Sequence, residues 1–414
     1  MYLRACIDSL RRSLTRSNHT ITIVNDKAYL FGGETADGEL ASNDIHIVNL
    51  APEKNKEPEY QLIPALACGD KVPLSRMRHT ACAFRNGVVI YGGVSSTDQP
   101  ADPGEIWFFS PESLAWETLY SPSSPTSCSE TPSAGSQVRV FSHDDSLVIC
   151  SESRDSGKMA LWKYSPAEPD VDAKPWPVLA PPPTPVSPSN LALHGTHLYY
   201  ISSSEPVSSQ LHILPLSPTK SGEDAKWTSL AFPTNPIIPG PRARHGGALL
   251  PVSTGYGRNY LIYLLGARSQ HTATFGQGTS SFVEQNLTSN FDKNAADDKK
   301  ELPVLKWSDT WALQLPSSNL EPQAKLSVTQ AIKPAKIKDA VRSAVGADSG
   351  KWSWSEVEVC VPDDLGHSVQ GKLHPGPRAF FGADVMEDKK NIVFWGGECP
   401  QGGKVGDGWV VRFE

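Results

Sequence analysis

The chain has 414 residues, of which 39% are hydrophobic, and it contains 35 prolines and 32 glycines. This composition supplies ample apolar material for a core and favours many turns over long helices, so it predicts a mostly β fold. The formal net charge of -7 at pH 7 argues against a nucleic-acid-binding protein, because such proteins are usually basic overall or carry a dense stripe of lysine and arginine.

The cysteines and the apolar runs bear on where the protein works. The 7 cysteines are odd in number and widely scattered, and none forms a CxxC pair. This pattern favours reduced thiols over a disulfide framework or a zinc site. No apolar run approaches the roughly 20 residues that cross a bilayer, and no secretory segment opens the chain. We therefore expect a cytoplasmic protein with no membrane association.

Residues 1–16, MYLRACIDSLRRSLTR, allow two interpretations. Apolar residues at helical spacing, with four arginines against one acidic residue, resemble a mitochondrial presequence. Alternatively, residues 1–10 supply a strand that completes the last unit of a repeat array and so removes an exposed sheet edge. We favour the closing strand, because the last copy of the repeat described below has only three strands of its own.

An internal repeat organises the chain, and its most complete copy begins at Arg78 with RHTACAFRNGVVIYGGV. Two β-rich runs flank Asn86-Gly87, which predicts a hairpin with a tight turn at those two residues. The doublet Gly92-Gly93 has no side chains to pack, which indicates that another backbone comes close there. The phrase recurs as HTITIVNDKAYLFGGE from His19, and a copy near the C-terminus ends in WGGE.

Each copy is predicted to hold four strands and to form one propeller blade. In copies three and four the glycine doublet is replaced by Ser151-Glu152 and Ser202-Ser203. We expect one propeller over residues 1–414, with blades at approximately 16–64, 76–120, 136–180, 189–232, 241–361 and 376–414, the last completed by 1–10.

Copy five is longer than the others, and we assign its excess to two loop insertions, at 267–306 and 316–350. The first is rich in Gln, Ser, Thr, Asn and Lys, which predicts disorder over His271 to Lys300. The second is predicted to contain a short helix over Ala335 to Val345. Copy five thus remains one blade with two insertions.

Four phrases recur in constant order through copies one, two, five and six. They are RSNHT, RMRHT and RARHG at the start of a blade, FGG, YGG and WGG after the second strand, DIH, EIW, DTW and DGW in the third, and W-x-x-L in the fourth. On these phrases the chain resembles the Kelch-repeat β-propellers over nearly its whole length. The resemblance implies an all-β, six-bladed propeller, a scaffold that does not by itself define a function.

The resemblance also implies a binding surface. In Kelch domains that bind acidic peptides, arginines at the blade starts ring the mouth of the central channel. This carries over to Arg16, Arg76, Arg78, Arg242, Arg244 and Arg378. Converging guanidinium groups would hold carboxylates through paired hydrogen bonds. The alternative is that each arginine pairs within its own blade.

Two further residue types mark the same end of the blades. Glu34 and Glu398 directly follow glycine doublets, and we count both as candidate binding residues. His19, His79 and His245 recur at the blade starts, but ligands from blades so far apart would rarely converge on one ion. We therefore predict strand-end hydrogen bonding for the histidines, no metal site and no cofactor.

The sequence favours an intracellular scaffold, expected to be a monomer, that binds a protein partner at the mouth through the partner's acidic groups. The alternative is a cofactor-free or metal-assisted lyase or isomerase acting on a small carboxylate in the same pocket. Glu34, Asp37, Asp384 or Glu398 would then serve as general base. A deep, narrow pocket would favour the enzyme, and a broad, shallow surface would favour the interaction module.

Overall fold

A computed structural model of the chain describes residues 14–50, 59–69, 71–122, 132–152, 159–166, 178–183, 187–202, 210–216, 225–231, 240–242, 244–254, 258–268, 305–316, 352, 354–358 and 374–413. The expected strand at 1–10, the disordered stretch 271–300 and the helix at 335–345 lie outside these residues. In the described part, no helix is long and apolar enough to cross a membrane.

The strands form six antiparallel blades, each numbered from the inner strand outward. Blade one consists of Thr20–Val24, Lys27–Phe31, Ile45–Asn49 and Tyr60–Ile63. Blade two consists of Thr80–Phe84, Gly87–Tyr91, Ile106–Ser110 and Ala115–Tyr120. Blade three consists of Val138–His143, Ser146–Glu152, Met159–Tyr164 and Val178–Leu179.

The second half of the chain repeats the arrangement. Blade four consists of Leu191–His194, His197–Ile201, Gln210–Pro215 and Thr228–Ala231. Blade five consists of Ala248–Thr254, Arg258–Leu264, Thr310–Gln314 and Trp354–Glu356. Blade six, in its described part, consists of Gly382–Val385, Asn391–Trp395 and Gly408–Arg412. Two-residue strand pairs join Arg16–Ser17 to Glu34–Thr35 and Arg244–His245 to Ala267–Arg268, and 3-10 turns lie at Ala65–Ala67 and Pro188–Asn190.

Apolar side chains on the blade faces pack between neighbouring blades. Six hydrophobic clusters join blades one and two, two and three, three and four, four and five, five and six, and six and one. The last cluster places Val393 and Trp395 of blade six against Leu30 of blade one, and Leu14 is buried in it. The described blades therefore form a closed ring. Whether residues 1–10 complete blade six stays a prediction.

The predicted turn of the blade-two hairpin lies one residue earlier than expected. Phe84 pairs with Gly87, so the two turn residues are Arg85 and Asn86, and both have positive φ, 44° and 61°. Gly87 instead begins the second strand, where a Cβ would overlap the Phe108 ring. The glycine is needed for packing rather than for the turn, which is why the sequence signal misled by one position.

The glycine doublets hold neighbouring blades together, as the close approach predicted for them requires. Gly396 has φ +69°, and a Cβ there would lie 2.5 Å from the Arg16 carbonyl oxygen of the next blade. The second glycine donates its N–H to the carbonyl at the start of that blade: Gly33 to Arg76 at 2.8 Å, Gly93 to Gly135 at 3.1 Å, Gly266 to Arg378 at 2.9 Å and Gly397 to Arg16 at 2.8 Å. We call this contact the blade latch. In blade three, Ser151 continues the strand ladder instead.

The propeller has two distinct ends. The segments that lead into the inner strands and the loops between second and third strands lie at one end, which we call the mouth. The turns between first and second strands and the loops between third and fourth strands lie at the far end. The first insertion of blade five leaves the mouth, where Ala267 pairs with Lys306. The second leaves the far end, where the Trp352 N–H donates to Gln314.

Candidate interaction face at the channel mouth

A ring of left-handed residues marks the mouth. Asn18, Arg78, Gly246 and Phe380 occupy equivalent positions in four blades, with φ between 55° and 59°. Backbone hydrogen bonds connect them around the ring: the Phe380 N–H donates to Gly246 at 2.7 Å, Asn18 to Phe380 at 2.8 Å and Arg78 to Asn18 at 2.9 Å. At this position the backbone forms the hydrogen bonds of the ring, and the side chain differs from blade to blade.

This ring corrects the alignment of copy five. Gly246, not Arg244, is equivalent to Arg78, and Arg244 pairs across the same short strand as Arg16 does in blade one. His245 is accordingly out of register with His19 by two residues. The phrase RARHG holds arginines two positions apart, and matching its histidine to that of RMRHT places Arg244, wrongly, at the position of Arg78.

Four of the blade-start arginines form a buried structural set. Their exposed fractions are 3% for Arg16, 0% for Arg76, 0% for Arg244 and 1% for Arg378. Each donates through Nη1 to the carbonyl of the first doublet residue of its own blade: Gly32 at 3.0 Å, Gly92 at 2.9 Å, Leu265 at 2.8 Å and Gly396 at 3.1 Å. These bonds close each blade at the mouth and hold the latch carbonyl in position.

An aspartate from the loop before the third strand neutralises three of these arginines. Arg244 pairs with both Asp309 oxygens, at 2.9 and 3.2 Å, and Arg378 pairs likewise with Asp407 at 2.7 and 3.2 Å. Arg76 pairs with Asp102. Because charges removed from water need a partner with good geometry, the pairs with Asp309 and Asp407 explain the aspartate two residues before the third-strand tryptophan in blades five and six.

Arg16 contacts a histidine where the other three arginines pair with an aspartate. Its Nη2 lies 2.9 Å from His46 Nε2, and His46 Nδ1 lies 2.8 Å from the Tyr60 hydroxyl. A guanidinium can only donate, so His46 Nε2 must be the unprotonated acceptor. Burial, and then the neighbouring Arg16 charge, lower the pKa of His46 to about 3, so the histidine is neutral. Burial lowers the pKa of Arg16 to about 10.

Arg78 is the exposed arginine of the ring. Its side chain is 45% exposed, and its Nη1 donates to Asp98 Oδ1 at 3.1 Å, while Asp98 is itself 72% exposed. Asp98 also lines a cleft of about 160 Å³ between blades two and three. The other lining residues are Val94, Pro100, Ser133, Gly135, Ser136 and Gln137. The cleft is small and mainly polar.

Arg242 is another exposed arginine of the mouth. Its guanidinium carbon lies 4.4 Å from the centre of the Trp307 ring, in a cation–π contact beside the first insertion of blade five. The cation–π attraction acts through the face of the Trp307 indole, so the guanidinium N–H groups remain available for hydrogen bonds to a partner. Arg242 therefore resembles Arg78 in being held in place while remaining accessible.

Glu34 and Glu398 lie at the mouth and are joined to lysines of the preceding blade. Lys404 Nζ donates to Glu34 Oε1 at 2.6 Å, and Lys306 Nζ donates to Glu398 Oε2 at 2.8 Å and to the Cys399 carbonyl at 2.7 Å. The lysine side chains are 8% and 4% exposed. Both carboxylates thus form inter-blade ion pairs.

Sequence reasoning missed these lysines and Asp98. Lys404 follows Glu398 by six residues and closes a bridge with it, as Leu40 does with Glu34. That spacing was readable in the sequence. Lys306 occupies the same position in blade five, but the first insertion separates it from Ala267, so spacing gave no signal.

The two histidines that share a repeat position are packing residues. His79 Nε2 lies 2.8 Å from the Thr20 hydroxyl, and its ring contacts Phe31 edge-on at 5.4 Å. His19 is 5% exposed, and a Cβ on Gly396 would lie 2.9 Å from its Cε1. Burial, and then nearby arginine charge, hold the pKa of both well below the usual value. No group of three or more potential metal ligands occurs among the described residues.

The fold and the mouth together define a six-bladed β-propeller whose blade starts carry buried arginine–aspartate pairs. The chain matches the KLHDC2/KLHL20/DRC7 Kelch-repeats domain over residues 18–266, more than half its length, and it belongs to this Kelch-repeat family. It is also similar to the solved structure described as YjhT, with a TM-score of 0.56 and 13% identity over 98% of this chain and 97% of the other. That likeness shows the fold. No match was found among curated proteins.

Proposed function

We propose that the protein is an interaction module whose partner docks on the mouth over blades two and three. In this proposal an acidic side chain of the partner replaces Asp98 on Arg78. The proposal rests on one contrast. Arg78 is 45% exposed beside a cleft, whereas the framework arginines, Arg16, Arg76, Arg244 and Arg378, are buried. Arg16, Arg244 and Arg378 would then support the surface and not contact the partner.

The Arg78–Asp98 pair suits an exchangeable contact. Exposed ion pairs contribute at most about 1 kcal/mol, so a partner carboxylate can displace Asp98 at little cost. A partner that covers both residues removes water from the new pair and strengthens it. Arg242, held on Trp307, would provide a second contact across the mouth, and Glu34 and Glu398 would remain in their ion pairs.

The test compares two arginines of the same inner strand. Arg78 and Arg85 lie just beyond opposite ends of Thr80–Phe84, both have positive φ, 55° and 44°, and their side chains are 45% and 43% exposed. Asn tolerates this backbone and occupies the Arg78 position in blade one, as Asn18. Arg78→Asn therefore removes one positive charge at the mouth, and Arg85→Asn removes one positive charge at the far end.

The wild-type chain and both variants would be screened against an array of random peptides and used for affinity purification. We expect the wild type and Arg85→Asn to select peptides containing Asp or Glu and to retain the same partner, and Arg78→Asn to lose both. Equal selection by all three proteins would overturn the proposal. So would a partner that persists with Arg78→Asn.

A further inference from the structure

A further arginine lies away from the mouth contacts, on an inner strand that lines the central channel. Arg139 belongs to Val138–His143, the inner strand of blade three. Its Nε is buried without a hydrogen-bond partner, and its guanidinium carbon lies 5.4 Å from the Phe141 ring centre. Among the described residues, no acidic group lies within ion-pair distance of it. Arg139 thus lacks the directly paired carboxylate that Arg76, Arg244 and Arg378 have.

Two other polar side chains reach the channel at nearly the same depth. Cys82 in blade two and Asp384 in blade six hold equivalent positions of their inner strands, two residue pairs from the turn. The charges of Asp384 and Arg139 both act on the Cys82 thiol, and each acts on the other. Blades three and six lie opposite each other in a ring of six. Arg139 and Asp384 therefore face one another across the bore.

Asp384 is fixed in place. Its Oδ2 accepts the Ile23 N–H of blade one at 2.8 Å, and its Oδ1 accepts its neighbour Val385 N–H at 2.8 Å. Cys82 remains a neutral thiol, because burial raises its pKa to about 12. All three side chains keep partial solvent access although protein surrounds them, as expected for the wall of a water-filled channel.

We propose that the central channel binds a small monocarboxylate, which pairs with the Arg139 guanidinium and faces the Cys82 thiol. A carboxylate matches the planar fork of N–H donors that a guanidinium offers. Burial raises the pKa of Asp384, whereas the Ile23 and Val385 N–H groups and the Arg139 charge favour its carboxylate form. As a carboxylate on the opposite wall, Asp384 would repel a dianion across the bore. The site therefore prefers acetate-like monoanions to phosphate or sulfate. It shares no residue with the proposed partner surface.

Titration calorimetry on the full chain, with acetate, inorganic phosphate and sulfate as probes, tests this site. We expect acetate to bind at one site per chain and more tightly than the two inorganic anions. Arg139→Gln removes the charge-assisted hydrogen bonds and should weaken acetate binding by at least about tenfold. It breaks no observed hydrogen bond or ion pair, so the variant should fold. Arg85→Asn serves as the charge-matched control with unchanged binding.

A second variant tests the opposite wall. Asp384→Asn removes the repelling charge and retains an oxygen for the Ile23 N–H, so phosphate should gain affinity relative to acetate. Acetate binding that is absent in the wild type, or equal in the wild type and Arg139→Gln, would overturn the proposal. An unchanged preference in Asp384→Asn would refute the facing arrangement. Arg78→Asn should bind acetate normally, which separates this test from that of the partner surface.

Discussion

The strongest prediction concerns the buried arginine–aspartate pairs, and Asp309→Ala tests it. Asp309 accepts two hydrogen bonds from Arg244 and a third from Trp311 Nε1 at 2.7 Å. Removing the carboxylate leaves Arg244, which is 0% exposed, as an uncompensated buried cation. Breaking such a pair typically costs about 3–5 kcal/mol. Since the Asp309 side chain is 25% exposed, water can partly replace it, and we expect the lower end, about 3 kcal/mol.

The control is Asp98→Ala, which removes the carboxylate of an exposed pair at the same end of the propeller. Both members of this pair, Arg78 and Asp98, are more than two-fifths exposed. The free energy of unfolding should therefore fall by at most about 1 kcal/mol. Urea unfolding followed by tryptophan fluorescence gives the free energy of unfolding for each variant. If the two substitutions cost the same, or Asp309→Ala costs less than about 1 kcal/mol, the assignment of Arg244 to the framework fails.

Two further predictions concern acid stability and the glycine doublets. His19, His79 and His46 have a lowered pKa in the folded protein, so these three histidines take up protons only in the unfolded chain as the pH falls below about 6.5. The free energy of unfolding should therefore fall by about 4 kcal/mol between about pH 7.5 and 5.5. An unchanged value in urea titrations at both pH values would contradict this. Gly396→Ala should cost about 2–4 kcal/mol, because left-handed strain adds to a clash 2.5 Å from the Arg16 carbonyl. Gly402→Ala, also at positive φ but with open space around it, should cost about 1–2 kcal/mol, and equal thermal unfolding shifts for both would refute the packing role.

The strand pattern could be predicted closely because it depends on local periodicity. Inner strands lie at Val138–His143 and Leu191–His194 although blades three and four lack the glycine doublet. Inner and second strands bury side chains on both faces, so they appear as short apolar runs even where the doublet is lost. The six-bladed Kelch propeller was therefore predictable from sequence and is confirmed.

The role of each arginine could not be predicted in the same way. Arg76 and Arg78 stand two residues apart in RMRHT, yet one is buried against Asp102 and the other is exposed beside Asp98. Their difference arises from the left-handed backbone at Arg78, which the sequence does not reveal because arginine rarely adopts it. The aspartate partners were also hidden, since they lie 26 and 20 residues along the chain.

The blade latch explains why repetition is a poor guide to function in this protein. The latch needs only a backbone carbonyl at the blade start, and blade three provides it with Gly135 and no arginine. Where an arginine is present, its guanidinium bonds the doublet carbonyl of its own blade and is buried. A residue that recurs in every complete blade is thus explained by the framework. Charged groups outside the repeated position include Arg78 at the ring, Arg242 on Trp307, and Arg139 in the blade that departs from the pattern. Substituting them should alter binding while leaving the six blade interfaces intact.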